Sequence, residues 1–77
     1  MGKKIKHCDE LAVAIGKANA AACADQLDAY DSQAAAFAAY LGNAGDTAIA
    51  EGLGDRGWQT AQSAFVAEVY RITGLEF

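Results

Sequence analysis

The sequence of 77 residues contains no proline, a single histidine and no long apolar run. Without proline, nothing obliges a helix to stop or kink, because proline removes a backbone donor and clashes with the preceding turn. A transmembrane helix needs about 20 mostly apolar residues, and Asp25, Asp28 and Asp31 interrupt the best candidate. The sequence therefore predicts no membrane span. Asp9 and Glu10 lie where a secretory signal needs an apolar segment, so we expect a cytoplasmic protein.

Cysteine is also scarce. Cys8 and Cys23 are fifteen positions apart on or beside one predicted helix, which separates them by about 22 Å at 1.5 Å per residue. A disulfide needs Cα atoms within about 7 Å of each other. We therefore expect both thiols to be reduced and mostly buried, as in a cytosolic protein.

Basic residues are few beyond Lys3, Lys4 and Lys6. From His7 onward the sequence has three basic and ten acidic residues, a balance of 3 minus 10, or −7. A surface of this sign repels nucleic-acid phosphates over about 8 to 10 Å. Nucleic acid is therefore an unfavourable partner, and a weak DNA-binding regulator is kept only as a further alternative.

Alanine is abundant, and small or apolar residues recur at alternating steps of three and four over residues 13–41. The row consists of Val13, Gly16, Ala20, Cys23, Leu27, Tyr30, Ala34, Phe37 and Leu41. This spacing predicts a helix that packs along its length against another helix. We predict one all-α domain over residues 1–77, a small helical bundle with a basic arm at residues 1–7 and helix over residues 9–41.

The weak point of this long helix lies near Tyr30. Asp25, Asp28 and Asp31 repel one another along one helix face, and Asp31 or Ser32 could cap a new helix. We predict a continuous helix, with a break near Tyr30 as the alternative. Glycine and asparagine at positions 42, 43 and 45 predict its end. The remaining elements are a short helical turn over residues 46–51, a Gly-rich loop over 52–57 and a helix over 56–73.

The last helix has a broad apolar face. It consists of Trp58, Ala61, Phe65, Val69 and Ile72, and is widened by Val66 and Tyr70. A helix over residues 9–41 would be about 50 Å long, whereas one over residues 56–73 covers about 27 Å. Either the long helix breaks or its uncovered part packs against a second copy. With so many alanines for close approach, we expect a homo-oligomer.

One group of candidate binding residues is acidic and aromatic. Asp25, Asp28 and Asp31 predict a surface for a protein partner, although they also suit a solvated helix face. Tyr40 and Phe77, which the apolar stripes explain least well, are candidate anchors for that partner. Three short carboxylates along a helix supply too few oxygen ligands for a hard cation, so we predict no metal and no cofactor.

A second group lies at the start of the last helix. Gly52 to Gly57 matches the G-x-G-x-x-G pattern, but no strand precedes it, as a dinucleotide site requires. The segment is typical of a flexible connection between helices that is rich in glycine because of its backbone geometry. The alternative is a smaller site in which Gly54, Arg56, Gly57 and Trp58 hold a nucleotide or another small anionic ligand.

The sequence lacks a catalytic constellation, because His7 has no facing nucleophile and acid, and no enzyme is predicted. Small size and acidic charge favour a non-catalytic interaction protein that inhibits or adapts another macromolecule. They suit an inhibitor of the kind that mobile elements encode, an expectation resting on no single residue. The alternative is a helical oligomer that sequesters an anionic ligand near Arg56 and Trp58.

Overall fold

Three α-helices make up nearly all of the chain. The computed structural model describes the backbone of residues 2–76 and the side chains of residues 9–76. The helices are α1 (Gly2–Gln26), α2 (Gln33–Ala50) and α3 (Gly54–Thr73), with a 3₁₀ turn, Leu27–Ala29, between the first two. Over residues 2–76 there is no strand, and no helix is both long and apolar enough to cross a membrane. The predicted all-α bundle is confirmed.

The helices follow an up-down-up path. Near the start of α1, Asp9 bonds Arg56 near the start of α3, and Gly16, further along α1, lies against Ala61. These two contacts show that α1 and α3 run in the same direction. α2 runs the opposite way and packs against both, in a molecule measuring 43 × 22 × 16 Å.

The core between the helices is built mainly from small side chains. Phe65, Val69 and Cys23 are its largest fully buried members. The others are alanines at positions 12, 20, 36, 44, 48 and 61. Small residues allow helices to approach closely, so the alanine content of the sequence corresponds to close packing within one chain.

The predicted continuous helix over residues 9–41 is broken, and the alternative of a break near Tyr30 is confirmed. α1 ends at Gln26, and α2 begins only after Ser32. The Ser32 hydroxyl caps α2 by accepting a hydrogen bond of 3.0 Å from the Ala35 amide. Such a cap satisfies one of the amide groups that a helix start leaves unpaired. The break lets α2 fold back along α1.

The start of α1 also differs from the prediction. The helix begins at Gly2, so the arm predicted over residues 1–7 is helical from residue 2. Lysine has a favourable helix propensity, and the segment contains no proline that would stop the helix. Asp9 is therefore an interior residue of α1 rather than its cap.

The predicted end of the helix at residue 41 is wrong as well. α2 continues through Gly42 and Gly45 to Ala50, so the turn predicted over residues 46–51 belongs to this helix. Gly45 is kept small by tertiary packing, because a β-carbon built on it would lie 2.6 Å from Trp58 Cδ1. This glycine serves close helix packing rather than chain reversal.

The predicted Gly-rich loop over residues 52–57 is shorter than expected. Only residues 51–53 separate the helices, because α3 begins at Gly54. Gly52 and Gly54 have φ values of 80° and 71°, in the left-handed region that glycine adopts readily. At the other end, Gly74 has φ 74° and donates a hydrogen bond of 2.7 Å to the Tyr70 carbonyl, which ends α3.

Candidate functional site

An accessible apolar depression lies between α2 and the last turns of α3. We call it the α2–α3 groove. It has a volume of about 320 Å³ and is lined by Phe37, Val66, Ala67, Tyr70, Leu75 and Glu76. Val66 is 44% exposed and Tyr70 is 52% exposed, so both apolar side chains are accessible beside the partly buried Phe37.

Two local features of the sequence form this groove. Phe37 packs on the buried Phe65 ring, with ring centroids 5.1 Å apart and planes tilted by 58°, which fixes the wall on the α2 side. Beyond Gly74 the chain turns, and the Leu75 amide donates a hydrogen bond of 3.1 Å to Thr73 Oγ1. Leu75 and Glu76 consequently border the groove at the end of α3.

A second depression lies at the side of α2. Its volume is about 340 Å³, and it is lined by Tyr30, Ala39, Tyr40 and Asn43. The Tyr30 and Tyr40 rings meet edge to face, with centroids 6.1 Å apart. Burial raises the pKa of the Tyr40 hydroxyl, and the neighbouring Tyr30 raises this pKa further. Tyr40 is thus a half-buried member of an aromatic pair rather than a projecting anchor.

The three aspartates that were predicted to share one helix face do not do so. Asp25 lies in the last turn of α1, Asp28 in the 3₁₀ turn and Asp31 in the connection to α2, because the helix breaks within the segment. All three side chains are exposed. Their predicted companion Phe77 lies outside the described residues. Over residues 9–76, no group of three His, Cys, Asp or Glu side chains is placed to hold a metal ion.

The alternative anion site is not assembled either. Residues two apart on a helix point to nearly opposite sides, so Arg56 reaches toward α1 while Trp58 packs on Gly45 of α2. The guanidinium of Arg56 donates two hydrogen bonds, of 3.0 and 2.8 Å, to the Asp9 carboxylate. An added anion would therefore compete with a carboxylate already in place.

The two glycines of that alternative site, Gly54 and Gly57, belong to the first turn of α3. Gly54 is the first residue of α3 and is exposed, whereas Gly57 is buried next to Leu53. The Gly57 amide donates a hydrogen bond of 3.2 Å to the Leu53 carbonyl. One amide of this helix start is thus used within the chain.

The pKa values of other ionisable groups are shifted by their hydrogen-bond partners or by burial. The hydrogen-bonded Arg56 lowers the pKa of Asp9, and the same interaction with Arg71 lowers the pKa of Glu68. Burial raises the pKa of the Cys23 thiol. A buried thiol with a raised pKa is a poor nucleophile, because the thiolate is the reactive form.

Sequence reasoning missed Val66 and Tyr70 as surface residues, because it assigned them to the apolar face of α3, whereas Phe37 packs on the core as its spacing predicts. The available signal was the width of the apolar face of α3. Val66 and Tyr70 broadened that face beyond the stripe of Ala61, Phe65 and Val69 that the bundle buries. An apolar stripe wider than the packing partners can cover leaves part of itself in contact with water.

Comparison with known proteins adds no functional precedent. No protein-family model, no curated protein and no solved structure matches the chain. The function is therefore inferred from the geometry of the chain itself.

Proposed function

We propose that this chain is a non-catalytic binding protein that holds a partner protein in the α2–α3 groove. The observation that carries the proposal is the exposure of Val66 and Tyr70 beside Phe37 in one apolar depression. Contiguous exposed apolar surface marks interaction sites more often than scattered apolar residues do. Aromatic side chains supply much of the binding energy at protein interfaces.

The lining of the groove favours a protein over a small molecule. A small-molecule site usually combines an apolar cavity of about 300 to 1,000 Å³ with several convergent polar groups that fix orientation. The α2–α3 groove is at the lower end of that range, and among residues 9–76 Glu76 is the one charged side chain that lines it. A partner side chain carried on its own backbone needs fewer such groups.

The environment of Cys23 supports a binding role rather than a catalytic one. Its thiol is buried in the core, and burial raises its pKa, so it is unsuited to attack a substrate. A buried thiol also suits the reducing cytoplasm, which we retain as the proposed location. By occupying a surface of its partner, the protein would act as an inhibitor or an adaptor.

Purification with an N-terminal affinity tag tests the proposal. We expect a protein that copurifies in stoichiometric amount with the wild type and is lost from a Val66→Ser/Tyr70→Ser variant. The matched control is Ile72→Ser, because Ile72 is similarly exposed at 41% but lies about 200° around α3 from Tyr70. Far-UV circular dichroism and urea unfolding establish that both variants are folded.

Comparison of partner binding by the groove variant and by the Ile72→Ser control tests the proposed binding site. If a partner is retained by the Val66→Ser/Tyr70→Ser variant, the groove is not its binding site. A partner that is lost equally from the groove variant and from Ile72→Ser would also contradict the proposal, because the loss would then be independent of the groove.

A further inference from the structure

We propose that the occupant of the α2–α3 groove is an amphipathic helix of the partner with basic residues flanking its apolar anchors. This inference rests on the proposed function and specifies the partner. It follows from the spacing of the side chains of α3 along the α2–α3 groove and from the distribution of charge around this groove.

A row of side chains on α3 has the periodicity of a helix-binding surface, and Val66 and Tyr70 are the members of this row that line the groove. Trp58, Gln62, Val66 and Tyr70 follow one another at intervals of four along α3. At its α2 edge, Gln62 Nε2 donates a hydrogen bond of 3.1 Å to the Leu41 carbonyl. From Trp58 to Tyr70 the row extends about 18 Å at 1.5 Å per residue. Helices that dock into grooves use apolar anchors repeated at three to four residues, which is the spacing of Val66 and Tyr70.

The groove side of the molecule is acidic. Glu76 lines the groove at one end. Asp55, outside the groove lining, is exposed near the start of α3, three residues before Trp58 and on the same side of the helix. α2 contains no lysine or arginine. The apolar side chains Val66 and Tyr70 lie between these two carboxylates along α3, an arrangement complementary to apolar anchors flanked by basic residues.

The arginines of α3 do not neutralise this side. Arg56 is hydrogen bonded to Asp9 of α1. Arg71 donates two hydrogen bonds, of 2.8 and 2.7 Å, to Glu68, whose pKa is lowered further by Lys17 of α1. Both guanidinium groups are thus directed to carboxylates on the α1 side of α3.

A second copy of the chain is a poor occupant by the same reasoning. A symmetric dimer through this groove would place each copy's Glu76 and Asp55 against an identical acidic surface. The chain as a whole has a net charge of −4, which adds repulsion at low salt. A basic helix from another protein meets no such repulsion.

Synthetic helical peptides test the inference. A peptide of about 16 residues, or about 24 Å of helix, carries leucines at positions i, i+4 and i+7 and lysines at both ends. Matched peptides replace the terminal lysines by glutamine or glutamate, and a fourth replaces the leucines by serine. Fluorescence anisotropy of the labelled peptides measures their dissociation constants.

At low salt we expect the lysine-ended peptide to bind about tenfold more tightly than the glutamate-ended one. This difference should shrink at about 1 M salt, where the Debye length is about 3 Å. Glu76→Gln should weaken binding of the lysine-ended peptide about two- to fivefold. The matched control Glu10→Gln, at an exposed site on α1, should not change it.

Each remaining outcome overturns the inference in a distinguishable way. Equal binding of lysine-ended and glutamine-ended peptides removes the basic partner but leaves the apolar groove and the proposed function standing. Equal binding of the serine peptide shows attraction by charge alone. No binding of any peptide, or undiminished binding to Val66→Ser/Tyr70→Ser, removes both the inference and the proposed function.

Discussion

At Gly16 the backbones of α1 and α3 approach each other closely. A β-carbon built there would lie 2.9 Å from both the Ala64 β-carbon and the Phe65 amide nitrogen, and closer still to the Ala61 carbonyl oxygen. Backbone atoms of a packed helix cannot move away as a flexible side chain can. Gly16→Ala should therefore destabilise the protein by about 1 to 3 kcal/mol, measured by urea unfolding.

Gly42 provides the matched control for this prediction. It lies within α2, and a β-carbon built on it meets nothing within 4 Å. Alanine should stabilise the helix there by about 0.5 to 1 kcal/mol, because glycine loses more backbone entropy on folding. Equal stabilisation by both substitutions would contradict the close approach of α1 and α3 at Gly16.

The ion pair between Asp9 and Arg56 predicts a pH dependence. The hydrogen-bonded guanidinium lowers the pKa of Asp9 in the folded state. The stability it contributes is complete above the ordinary aspartate pKa of about 3.9 and is lost as the pH falls through the lower folded value. Asp9→Asn should therefore be less stable than the wild type at about pH 7 and similar to it at about pH 2.

Thermal unfolding of both proteins across that pH range checks this prediction. Asp25→Asn is the control, since Asp25 is exposed and lies at the opposite end of α1. A difference between the wild type and Asp9→Asn that stays constant from neutral to acidic pH would rule out the ion pair as its source.

Among the helical elements, α2 depends on its cap. Removing the Ser32 hydroxyl leaves the Ala35 amide without its partner. Ser32→Ala should cost about 1 kcal/mol, which lowers the melting temperature of a domain of this size by about 4 to 8 °C. Ser63→Ala is the matched control, because Ser63 is exposed inside α3, where alanine is the better helix former. Equal losses in both variants would contradict a capping role.

The element boundaries show how far local sequence signals extend. The all-α class and the course of α3 followed from apolar spacing, because that spacing reflects which side of a helix is buried. The spacing from Val13 to Leu41 also continued across Tyr30, where the helix nevertheless breaks. Periodicity reports which residues would share a face if the helix were continuous, whereas the Ser32 cap decides that a new helix starts.

The glycines of α2 illustrate a limit of a different kind. Considered alone, Gly42 and Gly45 predict a helix end, because glycine suits that position. Gly45 instead lies inside a helix and receives Trp58 of α3. Only the tertiary arrangement distinguishes a glycine that reverses the chain from one that admits a neighbouring ring.

The groove shows the same limit for the candidate site. The predicted partner residues Asp25, Asp28 and Asp31 depended on a helix face that the break removes. Val66 and Tyr70 were assigned to the core from their spacing alone. The part of a wide apolar face that remains uncovered depends on how many helices pack against it. The spacing of residues along one helix does not give that number of helices.

At the scale of the whole molecule, α3 provides the neighbour that α1 needs. Gly16, Ala20 and Cys23 are buried within one chain. The second copy that we expected for an unbroken helix is therefore not required to cover them. Self-association remains a prediction that sedimentation of the protein alone can decide.

Cys23 can report on opening of the whole bundle. Its side chain is fully buried, so a thiol reagent reaches it only when the helices separate. In a Cys8→Ser variant, labelling of Cys23 should be at least about a hundredfold slower in buffer than in denaturant, given a typical domain stability of about 5 kcal/mol or more. The labelling rate should rise with urea in step with unfolding. A rate independent of urea would contradict burial of Cys23 between the helices.

All four lysines of the chain belong to α1, at positions 3, 4, 6 and 17, and both α2 and α3 lack primary amines on their side chains. Amine-directed chemistry, whether biotinylation, dye coupling or attachment to a sensor chip, will consequently modify one helix of the bundle and leave the α2–α3 groove unaltered. Coupling through these lysines should therefore immobilise the protein in an orientation that leaves the α2–α3 groove accessible to an analyte.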